Sequence, residues 1–263
     1  MNVVKAHAYG NDFLLVRAED AGAVERSGLT RTLCERHRGL GADGVIFHRP
    51  TADGAAMDLV NADGSYSEVS GNGVRCLAAW MARVRNLAAG ESLAIHTDAG
   101  VKRLDLLAVD GARLTFRAAM GQPEGIERRT IALESGPVEA VTLRVGNPQC
   151  VVLGDVSHER LHSIAGRLAV HPSFPAGTNV ELAAVDSVDR VRILIWERGV
   201  GPTEASGTGA CAAAVAAMVY GGAARDVQVV APGGTQRVEW REDGLYLTGW
   251  AEVLFEGRWI PRE

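Results

Sequence analysis

Ser70 and Ser206 each sit in the same unusual arrangement. A glutamate and one further residue precede Ser-Gly-x-Gly, and an alanine-rich run follows. The first copy reads "EVSGNGVRCLAAWMA" from Glu68 and the second "EASGTGACAAAVAAM" from Glu204. Serine is a preferred N-cap, and glycine in a first helical turn lets other groups approach the backbone closely. Such a helix start presents free amide N–H groups at the positive end of the dipole, which suits a carboxylate or a phosphate. Two starts facing each other would grip one small anion and set a hydroxyl on either side of it. The plainer alternative is a pair of capped core helices without chemistry.

The elements that must position the serines are also written twice. Ser206 lies 136 residues after Ser70 (206 − 70), and the same gap-free offset carries Gly10-Asn11 onto Gly146-Asn147 and Gly41 onto Gly177. It also sets Asp43 against Asn179, Asn61 against Glu197, Glu68 against Glu204, Gly71 against Gly207 and Gly73 against Gly209. Several separated segments agreeing on one offset indicate a tandem duplication, and two copies point to paired domains rather than a solenoid. Within each copy, short alternating or β-branched runs such as "FLLVRA", "MDLVNA", "CVVLGD" and "VRILIWE" read as strands. Amphipathic helices are expected near Thr30–Arg38 and Ser157–Leu168. Gly207–Tyr220 is apolar on every face and Gly71–Val84 nearly so, and a helix of that kind must be buried all round. The prediction is therefore an α+β fold of two pseudosymmetric halves, each a curved, mainly antiparallel sheet wrapped around a central helix. The halves are expected over residues 1–119 and 120–250, joined by a linker at Met120–Arg129, with 251–263 returning to the first half.

Composition narrows the function. In 263 residues, 47% are apolar and 22% charged, with a net charge of −5 and no clustering of Lys and Arg. That excludes a phosphate-tracking basic face, so no nucleic-acid partner is expected. "MNVVKAHAYGNDFLLV" holds no signal-type apolar run, and Gly209–Ala224 is too short and too rich in Gly and Ala to span a bilayer. Four cysteines without CxxC spacing suit a reduced, cytoplasmic chain. Two further motifs fail on context. "GTGACA" fits a loose dinucleotide fingerprint, but neither a buried parallel strand before it nor a βαβ unit after it is legible. "HERLH" at His158–His162 has the zinc-hydrolase spacing, yet the third-ligand position falls on Leu168. No metal is expected.

Read together and in order, the motifs resemble the diaminopimelate epimerase family, within the proline-racemase-like, cofactor-independent isomerases. They are "GNDF" (Gly10–Phe13), "GADG" (Gly41–Gly44), "NADGS" (Asn61–Ser65), "SGNGVRC" (Ser70–Cys76), "GNPQC" (Gly146–Cys150), "FPAGTNVE" (Phe174–Glu181), "ERGVG" (Glu197–Gly201) and "SGTGACA" (Ser206–Ala212). The resemblance implies two pseudosymmetric halves with the active site between them. It implies inversion at an amino-acid α-carbon by two bases, without cofactor, while helix N-termini hold the α-carboxylate. It further implies substrate contacts by Asn11, Gly44, Asn61, Gly71, Asn72, Asn147, Asn179, Glu197, Arg198, Gly207 and Thr208. Among these, Asn61, Asn179 and Arg198 would take a distal carboxylate and Glu197 would lie near a distal amine. A homodimer is plausible on the same ground.

The resemblance breaks at its catalytic positions. The resemblance implies catalytic roles at Ser70, Ser206, Glu197 and Gln149, yet the family carries a cysteine base at each helix start, where this chain has Ser70 and Ser206, and a histidine where it has Gln149. A free thiol titrates near pH 8.5, whereas a serine hydroxyl is a far weaker acid and needs an adjacent base. The expected activity is epimerisation of LL- to meso-diaminopimelate, a lysine and peptidoglycan precursor. Two alternatives share the same cradle. One is an isomerase of another small amino or hydroxy acid using Glu204 or Glu68, each placed by strand alternation on the face of its serine. The other is an amino-acid-binding pseudoenzyme. Cys76, Cys150 and Cys211 read as buried structural thiols rather than substitutes.

Overall fold

The computed structural model of the protein describes residues 1–260 and divides into two compact units. One comprises Met1–Ala118 and the chain from Gly249 onward, the other Ala119–Thr248. The chain leaves the first unit inside one strand and re-enters it inside another.

The first unit runs β1 (Asn2–Ala8), β2 (Asn11–Arg17), α1 (Arg26–Cys34), β3 (Gly44–Pro50), β4 (Gly54–Asn61) and β5 (Tyr66–Ser67). It continues through α2 (Gly71–Val84), β6 (Ser92–Thr97), β7 (Gly100–Asp110) and β8 (Arg113–Gly121). The second repeats this order after an opening β9 (Glu124–Leu133): β10 (Gly136–Val145), β11 (Asn147–Leu153), α3 (His158–Ala169), β12 (Asn179–Ser187), β13 (Arg190–Glu197) and β14 (Gly201–Thr203). Then come α4 (Gly207–Tyr220), β15 (Asp226–Ala231), β16 (Gly234–Arg241) and β17 (Gly244–Arg258). The far end of β17 pairs with β1, from Asn2 opposite Arg258 to His7 opposite Glu252.

Most pairings are antiparallel, as the α+β reading requires, but each helix spans a parallel pair. β2 lies parallel to β3 across α1, and β4 to β6 across α2. In the second unit β11 lies parallel to β12 across α3, and β13 to β15 across α4. A parallel step needs a crossover, and the helices supply it. These crossovers put a helix on each face of the sheet. In β12, Val180 and Leu182 face α3 with Leu161 and Leu168, while Ala183 faces α4 with Ile193 and Ile195.

α4 is buried at every position from Ala210 to Ala217. Its alanines keep the helix thin enough for Val141, Leu143, Val151, Ile195, Val229 and Leu247 to close around it. Small residues on a helix with no solvent face are what such packing demands.

Two expectations are corrected. Met120–Arg129 is not a linker: β8 continues to Gly121 and β9 starts at Glu124, its residues pairing with β10. The glycines that suggested a loop instead adopt positive φ (Gly121 81°, Gly125 61°) within and between strands. The first amphipathic helix lies earlier than Thr30–Arg38. The Glu25 carboxylate accepts from the amides of Ser27 and Gly28, fixing the start, and the backbone turns extended at Glu35. No helix among the described residues is long and apolar enough to cross a membrane.

Candidate active site

Each unit has a Ser-capped helix start and an asparagine that follows a left-handed glycine. Gly10 (φ 88°) and Gly146 (φ 76°) turn the chain directly into Asn11 and Asn147, the first residues of β2 and β11. Ser70 Oγ accepts from the Gly73 amide at 3.1 Å, and Ser206 Oγ from the Gly209 amide at 3.3 Å. Each cap contributes about 1 kcal/mol and leaves the first-turn amides, Gly71 and Gly207 among them, without intrahelical acceptors.

In the first unit these groups form one network. Asn11 Nδ2 donates to Asp43 at 2.8 Å, Asn72 Nδ2 donates to Asn11 Oδ1 at 3.3 Å, and the buried Arg75 donates to Asn72 Oδ1. Arg75 also lies over the Tyr9 ring. Asp43 is held by Arg36 at 2.8 Å. Its neighbour Asp12 is pushed up by burial, but Lys5 and Arg36 outweigh that and keep it below the usual carboxylate range. Gly44 pairs with Asn61 across β3 and β4, and Asn61 Nδ2 donates to Ser65 Oγ at 3.0 Å.

The second unit assembles differently. Gln149, Asn179 and Glu197 fall at one level of β11, β12 and β13. Gln149 Nε2 donates to Asn147 Oδ1 at 2.7 Å, and Asn179 Oδ1 accepts from the Arg198 amide at 3.0 Å. The Arg198 side chain is exposed and donates to the Ala176 carbonyl. Burial lifts the Glu197 carboxyl above the usual glutamate range, and the Ser206 hydroxyl, donating toward it, offsets part of that rise. Ser206 is itself 5% exposed. Thr208 is half-buried in the first turn of α4.

Glu68 and Glu204, expected on the faces of their serines, are both exposed. β5 and β14 end at Ser67 and Thr203, so the alternation that would align each glutamate with its serine is lost before it reaches the helix. The carboxyl that the Ser206 hydroxyl acts on is that of Glu197, which it draws down against burial. The thiols do not compete: all four are buried, and burial pushes Cys34 up to about 12 and raises Cys76 and Cys150 as well. His158 and His162 lie on the exposed side of α3, His162 edge-on to Trp196. Among the described residues no three His, Cys, Asp or Glu side chains gather as metal ligands.

Two residues of the site were not singled out from sequence. Asp43 orients Asn11, and its signal was its place in the motif "GADG". Glu181 lies fully buried beneath α4, and its signal was an acid inside the apolar run "VELAAV".

The model of the family described as diaminopimelate epimerase matches the chain twice, over residues 3–126 and 141–254. The chain belongs to the diaminopimelate epimerase family. The double match agrees with the tandem duplication read from the sequence. The diaminopimelate epimerase of Desulforudis audaxviator is 41% identical over 279 residues, covering 99% of each chain. The chloroplastic diaminopimelate epimerase of Oryza sativa subsp. japonica is 37% identical, covering 98% of this chain and 79% of that one. A solved hydroxyproline epimerase from Agrobacterium vitis, with trans-4-hydroxy-L-proline bound, shares the fold at a TM-score of 0.70 and 17% identity, over 98% of this chain and 90% of that one. The protein is an isomerase of the epimerase and racemase type. Its two helix starts are capped by Ser70 and Ser206.

Proposed function

We propose that the protein epimerises diaminopimelate, exchanging the proton at an α-carbon between its two faces. The observation that carries this reading is the half-buried Glu197 at the end of β13, its carboxyl raised by burial and drawn partly down by the Ser206 hydroxyl. A serine becomes useful in proton transfer when a base stands next to it. In this reading Ser206 Oγ takes the α-proton as its own hydroxyl proton passes to a Glu197 carboxylate oxygen, leaving Glu197 protonated and a carbanion on the substrate. A base with a raised value works closer to neutral pH than an ordinary glutamate. The first-turn amides of α2 and α4 suit the α-carboxylate and the charge that grows on it.

Ser70 is the proton group of the other half, held by the Gly73 amide. Asn11, Asn72 and Asn147 fit the α-carbon end of the substrate, and Asn61, Asn179 and Arg198 the distal carboxylate. Gly44, Gly71, Gly207 and Thr208 form backbone walls, and Gln149 orients Asn147. A cytoplasmic location belongs to the same reading, supported by four unpaired thiols. So does a homodimer, which rests on the family resemblance.

Proton NMR of LL-diaminopimelate in D2O tests the proposal. Loss of the α-proton signal in proportion to protein, with meso isomer appearing, is the expected result. Saturable binding without exchange would contradict it.

A further inference from the structure

Beneath the first turns of α2 and α4 the two halves hold different residues at the same place. A Cβ on Gly73 would meet the Ile46 side chain at 3.1 Å, whereas one on Gly209 would meet Glu181 Oε1 at 2.6 Å. Glu181 is fully buried, and neither carboxylate oxygen has a hydrogen-bond partner. An isoleucine packs there without stranding a polar atom, as Ile46 does, so packing alone does not account for the glutamate.

Register shows what the carboxyl is near. Glu181 pairs with Ile195 across β12 and β13, and Glu197 follows two residues later on the same face, so the two acids are diagonal neighbours. On the α4 face beside Glu181 the titratable groups are Glu197 on β13 and the Cys211 thiol on α4, with Tyr220 at the far end of α4. The Cys150 thiol on β11 and Arg190 and Arg192 on β13 alternate to the α3 face. Burial, and then the charge on Glu197, keep Glu181 protonated far above the usual range. Two carboxyls so placed cannot both ionise readily and titrate as a pair.

We propose that Glu181 is a positioning residue of the isomerase, staying neutral while Glu197 serves as base, so that the two neighbouring carboxyls carry a single negative charge between them. The inference rests on the reading of Glu197 given under Proposed function. The first ionisation of the pair switches exchange on, and the second, which sets two negative charges beside the helix start that receives the substrate carboxylate, switches it off.

The test is the pH dependence of kcat for α-proton exchange on diaminopimelate in the unsubstituted protein, Glu181→Gln, Glu181→Ile and Glu197→Gln. Glutamine keeps the shape, and isoleucine copies the other half. Both are expected to retain the acid limb and to move the alkaline fall upward by about one pH unit or more. An alkaline limb unmoved in both overturns the proposal while leaving Glu197 as base. Unimpaired exchange in Glu197→Gln overturns the underlying reading instead. An infrared readout needs no turnover: at neutral pH the unsubstituted protein should show the C=O stretch of a protonated carboxyl that Glu181→Gln lacks. Its absence from the unsubstituted protein would overturn the proposal.

Discussion

The two helix starts share a cap, a glycine pattern and an offset, yet they are surrounded by opposite chemistry. At Ser70 the nearby ionisable network is paired: Arg75 buried on Asn72, Arg36 on Asp43, and Lys5 holding Asp12 low. At Ser206 the nearby acids are Glu197 and Glu181, both raised by burial. The two halves kept the capped helix start while the ionisable groups around it diverged. In the proposed reading one half supplies a base beside its serine, and at Ser70 no carboxylate is hydrogen-bonded to the serine among the described residues.

The sharpest way to break this contrast is to remove the acid at Ser206. Glu197→Gln should lower α-proton exchange at least about a hundredfold, the usual scale for a lost general base, as followed by NMR in D2O. Writing the second half's acid into the first should be nearly as costly for the fold. Ile46→Glu strands a carboxyl under Gly73 and should lose about 3 kcal/mol in urea unfolding.

Restoring a thiol sharpens the contrast from the other side. Ser70→Cys should raise inversion about tenfold, and more than Ser206→Cys does, because only Ser70 lacks a neighbouring base. A larger gain from Ser206→Cys would reverse the assignment.

The smallest effect is on stability. Glu181→Ile should be neutral or stabilising by about 1 kcal/mol, and it should change the pH dependence of unfolding. Glu181 has its folded value above its unfolded one, so its contribution is full below the ordinary glutamate range and is lost as pH rises toward the folded value. The variant should flatten that descent. Asp12, held low, has the opposite sign: its contribution is present above the ordinary aspartate range and is lost as pH falls.

Much of this was legible in the residues. The all-apolar run Gly207–Tyr220 announced a central helix because nothing in it could face water, and Gly71–Val84 announced the second. The glycines and asparagines at one offset announced the cradle. Pairing direction was not legible, since periodicity marks a strand without saying whether its neighbour runs parallel. The helix starting at Arg26 was misplaced because its cap is Glu25, a residue type rarely chosen for that role. Glu204 drew attention as the sequence neighbour of Ser206, whereas the acid that the hydroxyl draws down lies at the end of β13. Glu197 was named among the site residues from the sequence, whereas only the fold buries Glu181.

The central claim is that the two serines are not equivalent proton groups, and isotope exchange tests it most directly. LL- and meso-diaminopimelate would each be incubated in D2O, comparing the initial rate of α-proton loss with the rate of inversion. The account predicts that from one isomer proton loss outruns inversion, because the Glu197–Ser206 pair returns solvent deuterium to the face it deprotonated more often than Ser70 delivers it to the other. Loss and inversion matched from both isomers would contradict the asymmetry, and no loss from either would contradict the proton chemistry itself.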